Sequence, residues 1–221
     1  MTLDVVRPAP HTDHTLGLVP SPPVPNPVPG WIEPDGARDG YRELLGSVNR
    51  FLDLLATARL DEAGNRTLFA DLDTLSEQLA DHSVSEDDQV FARRSDLPSR
   101  GQTLCPTYVV REATADTARA TIIFGRYHLG RNGAVHGGSL ALVFEDFMGQ
   151  LAILGGRTFA RAAYTHVDYR SVTPVGVELE LRGGFVSEEG RKRVLRAELR
   201  DGDRVCAEAE ELVIELRPGQ P

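Results

Sequence analysis

The chain has 221 residues, 41% of them hydrophobic and 26% charged, with a formal net charge of −9. That length and apolar content suit one domain with its own core plus an appendage. The acidic balance argues against nucleic acid as the main partner, because holding a phosphate backbone requires a basic face.

Residues 1–7 lack the apolar run of a secretory signal, and no apolar run of about 18 residues follows. A cytoplasmic protein without a membrane span is expected. Residues 1–37 hold nine of the fourteen prolines. Proline fixes φ and donates no backbone hydrogen bond, so this stretch reads as an extended arm. Such an arm serves as a tether, a strap across its own oligomer or a ligand for a proline-reading partner. His11 and His14 lie in it without further ligands to complete a metal site. Cys105 and Cys206 show no metal spacing and sit in apolar, strand-like surroundings, which makes them reduced core residues.

From about residue 39 the apolar period becomes 3.6. Tyr41, Leu44, Leu45, Val48 and Leu55 mark one face of a helix over 39–59. After a turn at 61–65, Leu68, Leu72, Leu75 and Leu79 mark a second helix. The apolar faces of this hairpin need a platform, either the outer face of the sheet that follows or a neighbouring subunit. The division expected is therefore an arm (1–37), a helical extension and linker (38–98) and a main domain (99–221).

In that domain the period becomes two. Residues 107–112 and 117–124 read as a pair of strands. The stretch 139–156 reads as one apolar helix stopped by Gly155-Gly156. Strands follow at 160–169, 177–186, 191–199 and 205–216, with Glu189-Gly190 and Asp201-Gly202 as hairpin turns. The order is α+β: two strands, a helix, then a four-strand antiparallel meander.

The stretch that stands out is Gly133-Ala134-Val135-His136-Gly137-Gly138 and the helix it opens, which carries Glu145 and Asp146. Free N–H groups at a helix start attract negative charge. A carboxylate on a helix meant for burial needs a reason. The two acids point about 100° apart, so only one can face a given site. Together these features suggest a polarised carbonyl and a carboxylate that attacks it or activates water. The plainer reading of the glycines is a tight loop-to-helix turn.

His136-Gly137-Gly138, with an acid nine residues after the histidine, resembles the signature of hotdog-fold acyl-CoA thioesterases, near the phenylacetate-degradation and hydroxybenzoyl-CoA groups. The likeness covers roughly residues 103–216. It implies an antiparallel sheet of about six strands wrapped round one long helix, and a thioester hydrolase acting on an acyl-CoA or acyl-carrier substrate as a homo-oligomer. Coenzyme A enters only as part of the substrate, and no other cofactor or metal is implied. By the same likeness Glu145 is the nucleophile or general base, the Gly137 N–H polarises the carbonyl, Gly138 keeps the approach open and His136 orients the loop. Relatives carry asparagine or glutamine six residues before the histidine, where this chain has Gly130; Asn132 or His128 is the expected substitute. Thr165 is expected near the acyl group. Arg191, Lys192 and Arg193 form the densest basic cluster, a holder for coenzyme A phosphates or ordinary solvated surface.

Two rival readings differ in chemistry. A hotdog dehydratase or hydratase would carry a proline at the helix start, and none lies between His128 and Glu145. A non-catalytic acyl-CoA-binding or scaffold protein would have no need of a carboxylate beside a thioester.

Overall fold

The computed structural model describes residues 40–94 and 96–219. The Pro-rich arm, with His11 and His14, lies outside the described residues. Three long helices and six strands follow in order: α1 (Gly40–Thr57), α2 (Glu62–Ala80), β1 (Tyr108–Ala113), β2 (Thr117–Ile123), α3 (Gly137–Leu151), β3 (Ala160–Tyr169), β4 (Glu178–Glu189), β5 (Lys192–Asp201) and β6 (Arg204–Glu215). Every strand pairing is antiparallel, in the order β1-β2-β4-β5-β6-β3.

The two hairpins of the meander turn where expected. Glu189 pairs with Lys192 and Asp201 with Arg204, leaving two-residue loops that begin at Gly190 and Gly202, each with φ of 57°. A positive φ at the first loop position matches the twist of the flanking strands, and glycine adopts it without strain. Only three of the four expected strands form that meander. β3 does not join β4; it crosses to the far edge and pairs with β6, while β4 docks against β2. The helix between β2 and β3 lies over the sheet, so the chain leaves it beyond the opposite edge.

Period-two alternation sends one face of each strand under α3. Ala118, Ala120 and Ile122 of β2, Leu179 and Leu181 of β4, and Leu195, Ala197 and Leu199 of β5 are buried there. They meet Leu140, Val143, Phe144, Phe147, Met148 and Leu151 of the helix. Phe147 stacks edge-on against Tyr108 with ring centroids 5.8 Å apart. Gly183 permits this approach, because a Cβ there would sit 2.9 Å from the Phe147 ring. Each of these large side chains contributes roughly 1.5–3 kcal/mol on burial.

The helix differs from expectation at both ends. It begins at Gly137 and closes at Leu151, and a short turn at Leu154–Gly156 carries the chain out, with Gly155 and Gly156 both at positive φ. It is also open along one strip, where Gly138, Glu145 and Gly149 are exposed and Ala141 and Leu142 half-buried.

The helical extension does not use the outer face of the sheet. That face is polar and solvated, crossed by Arg119–Glu180, Arg182–Glu198 and Arg196–Glu210 ion pairs. α1 packs instead on the turns at Pro98–Gly101 and Arg126–His128. The Tyr41 hydroxyl donates to the Gly101 carbonyl at 3.1 Å, and Arg42 donates to the Asp96 carbonyl at 3.1 Å. α2 starts sooner than the expected turn allows, because Asp61 caps it by accepting from the Gly64 N–H at 2.8 Å. Its leucine stripe is uncovered in the single chain, with Leu75 and Leu79 54% and 67% exposed. Cys105 and Cys206 are free, buried thiols, and burial pushes the Cys105 thiol far above its ordinary range. No helix among the described residues is long and apolar enough to cross a membrane.

Candidate active site

The segment between β2 and α3 makes a small hairpin of its own. Leu129 bridges Val135, the His136 N–H donates to the His128 carbonyl at 2.8 Å, and the Ala134 N–H donates to the Arg131 carbonyl at 2.9 Å. Asn132 and Gly133 take φ of 53° and 76°, the two left-handed positions of a type I′ turn. The hairpin is clasped from the side, since the Val135 N–H donates to Thr173 and the Val175 N–H to Gly133. α1 fastens its base: the Asp53 carboxylate accepts the Tyr127 N–H at 2.9 Å, so close that a Cβ on Gly125 would overlap it. The chain therefore reaches α3 from a loop held on three sides.

At the helix start His136 is the cap. Its Nδ1 accepts the Gly138 N–H at 3.0 Å, which commits that donor. The Gly137 N–H takes no acceptor among the described residues, as a first helical position requires. On the other side of this residue the Tyr169 hydroxyl donates to the Gly137 carbonyl at 3.1 Å. One turn of backbone is thus pinned by β3 and leaves one N–H for a ligand. His128 packs against the same turn, with Nδ1 3.2 Å from the Ser139 hydroxyl, and burial lowers its pKa despite the opposing charge of Asp53.

The adjacent acids part company. Asp146 is buried, accepting from Arg100 at 2.5 Å and from the Tyr108 hydroxyl at 2.8 Å. Arg100 itself has φ of 57°, an unusual backbone for a long side chain that the buried ion pair helps to hold. Asp146 is therefore a structural counter-ion. Glu145 lies in the open strip and makes no side-chain hydrogen bond or ion pair among the described residues. Partial desolvation and the nearby Asp146 charge raise its carboxyl above the ordinary range, with Arg100 pulling the other way. Eight residues separate Gly137 from Glu145, about 12 Å along a helix axis. The two cannot both touch one thioester carbonyl from the same chain.

A third acid was not foreseen. Glu211 stands on β6 between Leu195 of β5 and Thr165 of β3. It is 1% exposed, and its Oε2 is buried without a hydrogen-bond partner. Burial, with the negative charge of Glu145 added, pushes its carboxyl up to about 8. The signal was present in the sequence, since Ala207, Ala209, Glu211 and Val213 form a period-two inward face with one acid in it.

Other expected site residues fall in different places. Asn132 is exposed at the tip of the turn, where its backbone does the work. Thr165 is half-buried opposite Glu211. Arg193 is not a phosphate holder. It is 2% exposed and bound to the carbonyls of Ala152 and Thr158 and to Glu188 and Glu215. Arg191 and Lys192 are exposed, but they share that end of the molecule, past the C-terminus of α3, about 20 Å along the helix from Gly137. No group of three or more acids, histidines or cysteines among the described residues is placed to hold a metal ion.

This arrangement of sheet and helix recurs in a solved thioesterase superfamily protein, 23% identical, which matches over 83% of this chain and 93% of its own, with a TM-score of 0.70. The chain has the hotdog fold. The likeness reaches beyond the hotdog domain proper, since 83% of the chain includes part of the helical extension. Shorter matches align over about half of the chain. A Streptococcus mutans protein bound to acetyl CoA is 15% identical over 51% of this chain and 90% of its own, with a TM-score of 0.48. A hypothetical thioesterase of Streptococcus pneumoniae with coenzyme A is 16% identical over 49% and 84%, with a TM-score of 0.46. No protein-family model matches the chain, and no curated protein matches it in sequence.

Proposed function

We propose that this hotdog protein is an acyl-CoA thioesterase, hydrolysing an acyl thioester to the free acid and coenzyme A, with Glu145 as nucleophile or general base. One observation carries the reading: among the described residues, the open strip of a mostly apolar helix holds a single carboxylate without a partner, and the first N–H of that helix is also free. A carboxylate left in that setting is poised to work on a bound group rather than to stabilise the fold. The Gly137 N–H, at the positive end of the helix dipole, stabilises charge that develops on the thioester oxygen. As general base Glu145 takes a proton from the water that adds to the carbonyl carbon; as nucleophile it adds there itself, and water then cleaves the resulting anhydride. On either route the C–S bond breaks and the departing thiolate takes up the proton that water supplies.

Because about 12 Å separates the two groups on one helix, the site is completed by a second copy. Two α3 helices packed antiparallel along their open strips bring Gly137 of one copy beside Glu145 of the other. His136 and Gly138 serve by holding the loop, the first through its capping bond and the second by leaving room at the helix start. The acyl chain runs toward Thr165.

The test is release of free thiol from short, medium, long and aromatic acyl-CoAs by the purified protein. Glu145→Gln keeps the size of the side chain and removes the charge, so turnover should fall by at least ~10²-fold while the protein stays folded. Thiol release undiminished in Glu145→Gln would end the carboxylate mechanism. Binding of acyl-CoA without release of thiol from any of them would assign the protein to the non-catalytic binding class instead.

A further inference from the structure

We propose that Tyr169 is a positioning residue of this site: together with His136 it clamps the Gly137–Gly138 peptide at both ends, so that the neighbouring Gly137 N–H stays aimed at the thioester oxygen. The inference rests on the thioesterase reading above. It begins from the two glycines that open α3. Neither has a side chain to restrict φ and ψ, Gly138 is exposed and Gly137 half-buried. The N–H groups of a first helical turn also have no partners within the helix. A backbone of that kind swings unless something outside the helix holds it. A donor lowers a barrier only when it already points to where charge develops.

One peptide unit here is held on both sides. Its carbonyl, on Gly137, accepts from the Tyr169 hydroxyl at 3.1 Å, and its N–H, on Gly138, donates to His136 Nδ1 at 3.0 Å. This planar unit shares the Gly137 Cα with the peptide that carries the free N–H, so fixing one plane restricts the other. The hold from β3 is firm because the end of that strand is itself tied down. Tyr169 pairs with Ala207, and the Arg170 and Ser171 N–H groups both donate to the Cys206 carbonyl, at 2.9 and 3.0 Å. The Ser171 hydroxyl donates to the Val205 carbonyl at 2.7 Å. Gly137 and Tyr169 are also matched in shape, since a Cβ on Gly137 would stand 3.2 Å from the hydroxyl and 3.3 Å from the ring carbon that bears it. Stability does not account for the contact. Tyr169 is 58% exposed, and an exposed neutral hydrogen bond adds little to folding.

Tyr169→Phe removes the hydroxyl and keeps the ring. With an acyl-CoA that the wild type hydrolyses, kcat should fall about tenfold at unchanged KM, with the urea midpoint nearly unchanged. Tyr164→Phe is the control: it deletes a hydroxyl bonded to Glu210 on the same strand and should keep the wild-type kcat. Gly137→Ala displaces the Tyr169 hydroxyl by another route, so in the double variant the two losses should be less than multiplicative. Unchanged kcat in Tyr169→Phe, a rise in KM alone, an equal fall in Tyr164→Phe or independent losses in the double variant overturns the role. A second readout needs no turnover. Amide exchange at Gly138, followed by nuclear magnetic resonance in the full-length protein, should quicken about tenfold in Tyr169→Phe; unchanged exchange overturns the clamp. If no acyl-CoA yields thiol but Gly138 exchange quickens, the thioesterase reading fails and the clamp stands.

Discussion

Glu145 and Asp146 are neighbours in sequence with opposite duties, and substitution separates them. Asp146→Asn leaves Arg100 facing a neutral amide in a buried setting, at a cost of about 1–3 kcal/mol. A lower urea midpoint is therefore expected from it. Glu145→Gln should leave stability nearly unchanged, because no partner among the described residues is lost. Gly137→Pro isolates the proposed donor. Proline suits a first helical position and removes the N–H, and His136, at φ −62° and ψ 131°, already has the backbone that precedes proline. The Cβ that proline adds meets the Tyr169 hydroxyl at 3.2 Å, so that exposed ring must give by a few tenths of an ångström. The variant should fold and lose activity; unimpaired thiol release would remove the Gly137 N–H from the mechanism.

Glu211 also makes stability depend on pH. Its folded carboxyl is raised to about 8 from 4.5, so the folded state keeps a proton that the unfolded chain gives up. That contribution is whole below the unfolded value and is lost as pH rises through the folded one. The raised Glu145 carboxyl acts in the same direction. Urea midpoints should fall between about pH 5 and pH 9, and Glu211→Gln should flatten the fall.

At the scale of elements, α3 is both core and site. Its buried side holds the sheet through Phe144, Phe147 and Leu151, each 1% exposed or less, so Phe147→Ala should destabilise by about 3–5 kcal/mol. Its open side carries the proposed site. α1 matters to the site through one bond, from the Tyr127 N–H to Asp53. Asp53→Ala should lower stability by about 1 kcal/mol and, by loosening the loop that leads to His136, reduce turnover more than the stability loss explains. Thermal melts and rates measured on the same preparation would check this.

At the scale of the whole molecule, the described residues leave apolar surface exposed along α2, on the edge strand β3 at Tyr164 and Tyr169, and in part on the open strip of α3. Exposed patches of that kind mark association surfaces, and an edge strand offers unpaired backbone groups. At least a dimer is expected at micromolar concentration, and a monomer in sedimentation would count against a site shared between copies. A sharper check mixes two inactive variants. If Gly137 and Glu145 act across a two-fold axis, Glu145→Gln and Gly137→Pro chains re-assembled together should recover about a quarter of the activity, since half the dimers contain one intact site. No recovery from chains that do exchange would place both groups in one chain.

Much of this was legible from residues alone. The strands, the helix and the hairpin glycines follow from local periodicity and backbone freedom, which are properties of a few neighbouring residues. Which acid faces outward also followed in part, because a helix turns about 100° per residue; that Asp146 would be the buried one needed Arg100, 46 residues away. The Asn132-Gly133 turn and the inward acid at Glu211 are legible by the same rules, since both rest on local spacing. Other features depend on separations no local pattern encodes. β3 crosses to β6 because the sheet curls under the helix, Arg193 is used up by groups from three other segments, and the platform for α1 is a pair of turns rather than the sheet. Sequence determines the elements and the chemistry they carry; only tertiary packing decides which charged groups are neutralised and which stay free to react.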